Sequence, residues 1–382
     1  MARGAALTWS VAFASVAVAT ARAEVAVSVN DGHTVITPAG PASSPTPRPD
    51  TLSVIDLSAD PPRITATIEV PGSVVGPPTA VAVTPDERFA LVSAATKADA
   101  TAPALSPDDR VSVVDLRADP PRIVQQVQAG KGATTIRLVP GGPLALVANR
   151  FEGTVSVLRF QGGQLAPVGK VDLGNPKAGP SGIVVLPDGK AALVSRDGDH
   201  TISVLHVDGE AVTLDPRPIT TALKPYTLQI NRQGTLAAVG NMGRGDGDVD
   251  SVSLIDLGRA PFRTARTLSV GEVPEGVQFS PDGSLLAIAT QEGSTKAPDS
   301  PFRTDGGRLL LFRVDGTALT PVAEAPTGHW SQGVAFSRDG RTILVQQMGE
   351  AAIAVFRFDG SRLTLLASLP TGIGPAAIAT AW

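Results

Sequence analysis

VSVVDL, residues 111–116, decides the fold because the same six-residue pattern recurs along the whole chain. The other copies are LSVIDL (52–57), VSVLRF (155–160), ISVLHV (202–207), VSLIDL (252–257), LLLFRV (309–314) and IAVFRF (353–358). Each alternates or runs apolar over a strand length, and seven copies at a roughly regular period mean a propeller or an array rather than a chain of unrelated domains. Upstream of each copy lies a second element, clearest in VQFSPDG (277–283) and VAFSRDG (334–340). Here an alternating apolar strand runs into a Pro-Asp-Gly turn, which reverses the chain tightly. A further strand follows, as in FALVSA (89–94), LALVAN (144–149) and LLAIAT (285–290), and an outer strand such as ITATIEV (64–70) completes a four-strand unit.

The turn positions Pro85, Pro140, Pro187, Arg232, Pro281 and Arg338 lie 45 to 57 residues apart, and the next would fall near Trp382. Residues 375–381 match the first strand of a unit, with Ala376 equivalent to Thr79, while VAVSVN (25–30) matches a second strand. One blade is therefore expected to take its innermost strand from the C-terminal segment and its other three from the N-terminal segment. That pairing closes the ring and removes its open sheet edge. The expected fold is all-β, a seven-bladed propeller over residues 24–382, forming one domain. An open β-solenoid would need capping repeats and would not explain the complementary ends.

Residues 1–23 read as a cleavable signal peptide. Arg3 precedes an apolar small-residue stretch, and Ala21-Arg22-Ala23 supplies an A-x-A site before Glu24. A periplasmic or secreted protein is expected. The chain contains no Cys, which excludes disulfides, thiolate metal sites and a lipidated cysteine. Loss of Arg3 and Arg22 would take the net charge from −4 to −6, which disfavours nucleic acid and anionic membranes as partners. The expected partner is a small molecule or a protein, and the expected state is a monomer.

The S-P-D-G turn, the L-V-A-N strand and the LSVIDL strand together resemble YVTN-type β-propeller repeats. More loosely, the chain is similar to the lactonase-like seven-bladed propellers related to 6-phosphogluconolactonase. The resemblance covers essentially residues 24–382 and implies the fold, with lactone hydrolysis as a candidate activity. It transfers no catalytic residue position by position. G-H…W-D pairs of the WD40 type are absent.

Function is expected where the copies differ, on loops carried by a repeating frame. Counting back from the turns gives one residue per blade at the opening of the first strand: Thr79, Thr134, Ser181, Tyr226, Glu275, Gln332 and Ala376. Counting forward gives the exits of the second strand: Asn30, Ala94, Asn149, Arg196, Asn241, Thr290 and Gln347. Both rings are expected to surround one mouth of the central channel. Glu275 and Arg196 are the formal charges in these rings, and would serve as general base and anion contact. His329 joins them as a titratable group beside Trp330. Tyr226, Trp330, Gln332, Asn149, Asn241 and His200 are the candidate ligand contacts. His206 fills a slot held by Asp or Arg in the other copies, so the repeat itself accounts for it. Asp246, Asp248 and Asp250 alternate in a Gly-rich loop, but Ser251 and Leu257 stand where a calcium loop needs Gly and Glu. No His spacing of a metal site and no nucleotide-binding loop occurs, so no metal and no cofactor is expected.

Three functions are consistent with this pattern. An exported binding or scaffolding module leads, with its site on the channel face. A lactonase-type hydrolase acting at the channel mouth is the first alternative, and a propeller subunit beside a redox enzyme is the second.

Overall fold

In a computed structural model, residues 1, 24–37, 39–99 and 102–381 are described, and every regular element among them is a β-strand. The stretch 1–23 that reads as a leader lies, apart from Met1, outside the described residues. Seven antiparallel sheets form the blades, each built on one copy of the repeat. Numbered from the N-terminus, the innermost strands of blades two to seven are Val81–Val83, Ala133–Leu138, Pro180–Val185, Pro225–Ile230, Pro274–Phe279 and Ser331–Phe336. The repeated hexapeptide is the third strand of its blade. Its apolar residues are buried on both faces, as at Val111, Val113 and Val114, because a blade is sandwiched between two others.

Blade one joins the two ends of the chain. Gly374–Thr380 pairs with Val25–Asp31, which pairs with Thr51–Asp56 and then Arg63–Glu69. The register runs from Ala26 opposite Thr380 to Asp31 opposite Gly374. Packing closes the ring as well. Seven apolar clusters occur among the described residues, one between each pair of neighbouring blades. The cluster of Ala26, Ile55, Leu57, Leu344, Ile353, Val355 and Ile378 seals blade seven to blade one.

The strand-to-strand turns on one face show why the repeat spells S-P-D-G. In blade six, Ser280 Oγ donates to Asp282 Oδ1 (2.6 Å), Asp282 Oδ1 accepts from Ser284 N (3.0 Å), and Gly283 takes φ +75°. Glycine enters that left-handed region without a Cβ clash. Blade two departs from the rule: Glu87 occupies the equivalent position at φ 54°, and its carboxylate holds Arg338 Nη2 of blade seven (2.9 Å).

The opposite face carries the longer connections. Two of them fold into small hairpins, Thr34–Thr37 with Gly40–Ser43 and Thr96–Asp99 with Ala102–Pro107. The proline-rich stretch 41–49 enters the first of these hairpins through Pro41–Ser43.

Closure by the last strand gives a direct test. Ile378→Asp would place an unpaired charge in the seal between blades seven and one. It is expected to cost more than ~3 kcal/mol in urea unfolding, with loss of a single cooperative transition.

Candidate active site at the channel mouth

The first strand of nearly every blade opens with a β-bulge. Register shifts occur between Ala133 and Ile136, Pro180 and Ile183, Pro225 and Leu228, Pro274 and Gly276, and Ser331 and Val334. A bulge re-aims a side chain out of the ladder. It thereby presents Thr134, Ser181, Tyr226, Glu275 and Gln332 near the channel axis. Two residues before each of these lies a left-handed residue: Gly132, Gly179, Lys224 (φ 54°), Val273 (φ 53°) and Trp330 (φ 51°). In blades three and four the position is glycine. In blades five, six and seven it is not, and each such residue costs of order 1–3 kcal/mol of backbone strain. The strained entrances are therefore those flanking Tyr226, Glu275 and Gln332.

Close packing of the innermost strands holds this geometry. A Cβ added at Gly276 would sit 2.1 Å from the Gln332 carbonyl of blade seven, so only glycine permits the approach.

Glu275 is the buried carboxyl of the candidate site. It is 4% exposed, and its Oε2 accepts from Gln291 Nε2 and from Trp330 Nε1 (3.3 Å). Its Oε1 is bonded to no described residue. Burial pushes the carboxyl up to about 7, against the pull of those two donors. In the amide orientation that satisfies both of its groups, Gln332 donates to Ala376 O (2.8 Å) and accepts from Trp330 Nε1 (3.0 Å). The indole is itself 6% exposed and fixed by a bond from its backbone N to Ser294 Oγ (3.0 Å).

On the neighbouring side, Arg150 Nη1 donates to Ser181 Oγ (2.7 Å) and Nη2 to Asp197 Oδ2 (2.6 Å). Its guanidinium carbon lies 5.9 Å from the Tyr226 ring centroid. Burial raises the Tyr226 hydroxyl far above its ordinary value, so it stays protonated, and the charges of Arg150, Glu275 and Asp197 all reach it. Burial likewise raises Asp197, although Arg150 opposes it. A protonatable carboxyl, a neutral phenol and a paired arginine thus share one mouth of the channel.

The structure assigns several expected contacts elsewhere. Arg196 turns away from the channel: it donates to Leu173 O (3.1 Å) and Ser203 Oγ (3.1 Å) and pairs with Asp199. Asn149 donates to Thr154 Oγ1 and Ser156 Oγ (2.9 Å each) and accepts from Gly130 N (3.0 Å). Asn241 likewise donates to Ser251 and Ser253. These second-strand exits are framework, because each faces the Ser of the adjacent hexapeptide strand. Side chains alternate along a strand, so the next residue faces the channel instead. That is how Arg150, Asp197 and Gln291 reach the site, each one position beyond Asn149, Arg196 and Thr290.

His329 is held outside the Glu275 group, with Nδ1 2.7 Å from Glu350 Oε1. His200 stands at φ 59°, and its Nδ1 accepts from Lys224 N (3.3 Å), which makes it a prop for the strained turn before Tyr226. His206 is exposed and pairs with Asp215 (3.0 Å), as its repeat slot implies.

Asp31, His33 and Asp50 bring three ligand-type atoms within 4.8 Å of one another, a grouping that sequence spacing did not reveal. Their oxygens already serve the loop: Asp50 accepts from Gly32 N and Gly72 N, and Asp31 from His33 N and Val75 N. The cluster therefore latches the hairpin loop to the link that leads into blade two. Asp246, Asp248 and Asp250 form no comparable group among the described residues. Asp250 Oδ2 instead accepts from Val273 N (2.9 Å), bracing another of the strained entrances.

Comparison with known proteins agrees with this architecture. The family profile described as "Lactonase, 7-bladed beta-propeller" matches residues 107–254. The chain is similar to the lactonase-like seven-bladed propellers. A candidate 6-phosphogluconolactonase from Bacteroides uniformis superposes with a TM-score of 0.71 at 16% identity, covering 94% of this chain and 100% of that one. The periplasmic gluconolactonase PpgL of Pseudomonas aeruginosa gives 0.65 at 19% identity, covering 93% and 99%. Kuenenia stuttgartiensis hydrazine synthase gives 0.62 at 19% identity, covering 78% and 88%. No curated protein matches the chain in sequence. At these identities the structural likenesses establish the shared propeller fold.

Two measurements check the assignment of roles. Arg196→Gln is expected to lower stability by about 1–3 kcal/mol in denaturant titration, since it removes the charge partner of Asp199 and leaves the Leu173 carbonyl without its donor. Glu275 should make stability pH-dependent. With its carboxyl raised from 4.5 to about 7, the folded state holds the proton that the unfolded state releases. Stability is therefore expected to fall as pH rises from 4.5 to 7, by up to about 3 kcal/mol. Glu275→Gln should flatten that part of the profile.

Proposed function

We propose that the protein is an exported lactonase-type hydrolase acting at the channel mouth around Glu275. The observation that carries the reading is a buried carboxyl tuned to about 7, with one oxygen unbonded, set among strained strand entrances on the channel axis. A general base works best with its pKa near the operating pH, and backbone strain concentrates at working sites. The matching lactonase profile and the propeller likeness to PpgL support the substrate class and a periplasmic setting. Removal of residues 1–23 as a leader belongs to the same proposal.

In this reading the Glu275 carboxylate takes a proton from water as its oxygen bonds to the lactone carbonyl carbon. Tyr226, kept neutral by burial, donates a hydrogen bond to the developing oxyanion. Arg150 orients Tyr226 and neutralises Asp197. Collapse of the intermediate breaks the ring C–O bond, and the proton on Glu275 passes to the leaving alkoxide. The product is a hydroxy acid, and no other reactant is needed.

A second reading has its own observation. Val75, Phe151, Leu223, Val249 and Phe302 are exposed large apolar residues on connections of this same face. They favour a binding module that docks a partner over the channel mouth.

The test is carboxylate release from a panel of aldonolactones by the purified protein from residue 24 onward, across pH 5 to 9. Turnover is expected to rise through about pH 7 as Glu275 ionises. Glu275→Gln should reduce kcat at least a hundredfold, and Tyr226→Phe about ten- to a hundredfold. Full activity in Glu275→Gln would remove it as the base, and an inert panel would leave the docking reading in place.

A further inference from the structure

The other end of the channel carries a different chemistry. Three residues beyond each opening position, the innermost strands present a second ring: Ala379, Ala82, Arg137, Val184, Gln229, Gln278 and Ala335. Of these, all but Val184 line a cavity of about 680 Å³ that opens toward the Pro-Asp-Gly turns, with Thr84–Asp86 and Pro140–Gly142 at its rim. That volume suits a small organic molecule.

Arg137 is the cation of this ring. Its Nη1 donates to the carbonyls of Thr79 (3.1 Å), Val81 (3.2 Å) and Ile136 (2.8 Å), clamping the short first strand of blade two. Its Nε and Nη2 bond to no described residue, and no described carboxylate pairs with it. Gln229 and Gln278, the polar members at the same level of blades five and six, also have side chains bonded to no described residue. A structural clamp needs one donor and no charge, and a neutral side chain would avoid the desolvation that drags Arg137 down to about 10. The nearby charges lie at the rim and are engaged: Arg88 packs over Phe89 (4.8 Å) and approaches Asp115, while Asp86 faces Arg117 (3.5 Å).

We infer that this cavity is an anion site, in which the free edge of Arg137 and the amides of Gln229 and Gln278 bind the carboxylate or phosphate group of a small polar molecule. A planar guanidinium edge matches two oxygens of either group. The two amides can turn an N–H toward whatever oxygens remain. The site lies at the opposite end of the channel from Glu275 and is independent of the hydrolase reading.

Calorimetric titration of the protein from residue 24 onward with inorganic phosphate and with gluconate tests it, alongside thermal melts in each anion against chloride. Saturable binding of at least one anion is expected, with a melting temperature that rises with its concentration. The arm that binds distinguishes phosphate from carboxylate. Arg137→Gln should weaken binding at least tenfold. Gln278→Glu, which keeps the arginine but puts a negative charge into the same cavity, should do the same. Flat titrations with both anions, or wild-type affinity in either folded variant, would overturn the site. Lactone hydrolysis is scored separately, so neither result decides the other.

Discussion

The pairing of Gly374–Thr380 with Val25–Asp31 is the constraint on which everything else rests. A blade has two broad apolar faces and cannot satisfy either alone. Only a closed ring supplies a neighbour to every face, and this ring is closed by bonds between residues more than 340 positions apart in the chain. Loop closure over such a span is costly in entropy, but the cost grows only logarithmically with length. Seven packed interfaces repay it together, so the ring is expected to hold or fail as a unit rather than blade by blade.

That closed frame explains how strain can be tolerated at the channel mouth. Lys224, Val273 and Trp330 sit in a backbone region that suits glycine, and each is followed by a bulge that turns a side chain inward. Neighbouring innermost strands pack so closely that Gly276 has no room for a Cβ. The entrances cannot relax without separating blades. Rigidity from the ring is thus converted into fixed positions for Tyr226, Glu275 and Gln332.

Much of this architecture was legible in the sequence. The hexapeptide, the turn and the complementary ends predict the blades and their closure, because each reports a local rule: alternation, tight reversal, strand pairing. Counting also points to Tyr226, Glu275 and Gln332, and Trp330 stands out beside His329. Arg196, Asn149 and Asn241 turn instead to the serines of the hexapeptide strand. Counting locates the end of a strand but not which face its last side chain takes, and here the exit residue is claimed by the hexapeptide serine. Arg150 and Asp197 stand one step further on and breach the repeat pattern just as visibly. The Asp31, His33 and Asp50 cluster could not be foreseen, since it depends on how a loop folds back over seventeen residues.

The outermost described residues of the ring, Glu24 and Ala381, both lie on its turn side. Glu24 Oε1 accepts from Arg338 N in a turn of blade seven, while Ala379–Ala381 line the cavity around Arg137. A group attached next to Glu24 or Ala381 therefore starts beside the Arg137 mouth and away from Glu275. An affinity tag, a tether to a surface or a fused domain would leave the carboxyl face unobstructed. The same additions, placed at the C-terminal side, would crowd the arginine end and could serve as a plug for that half of the channel.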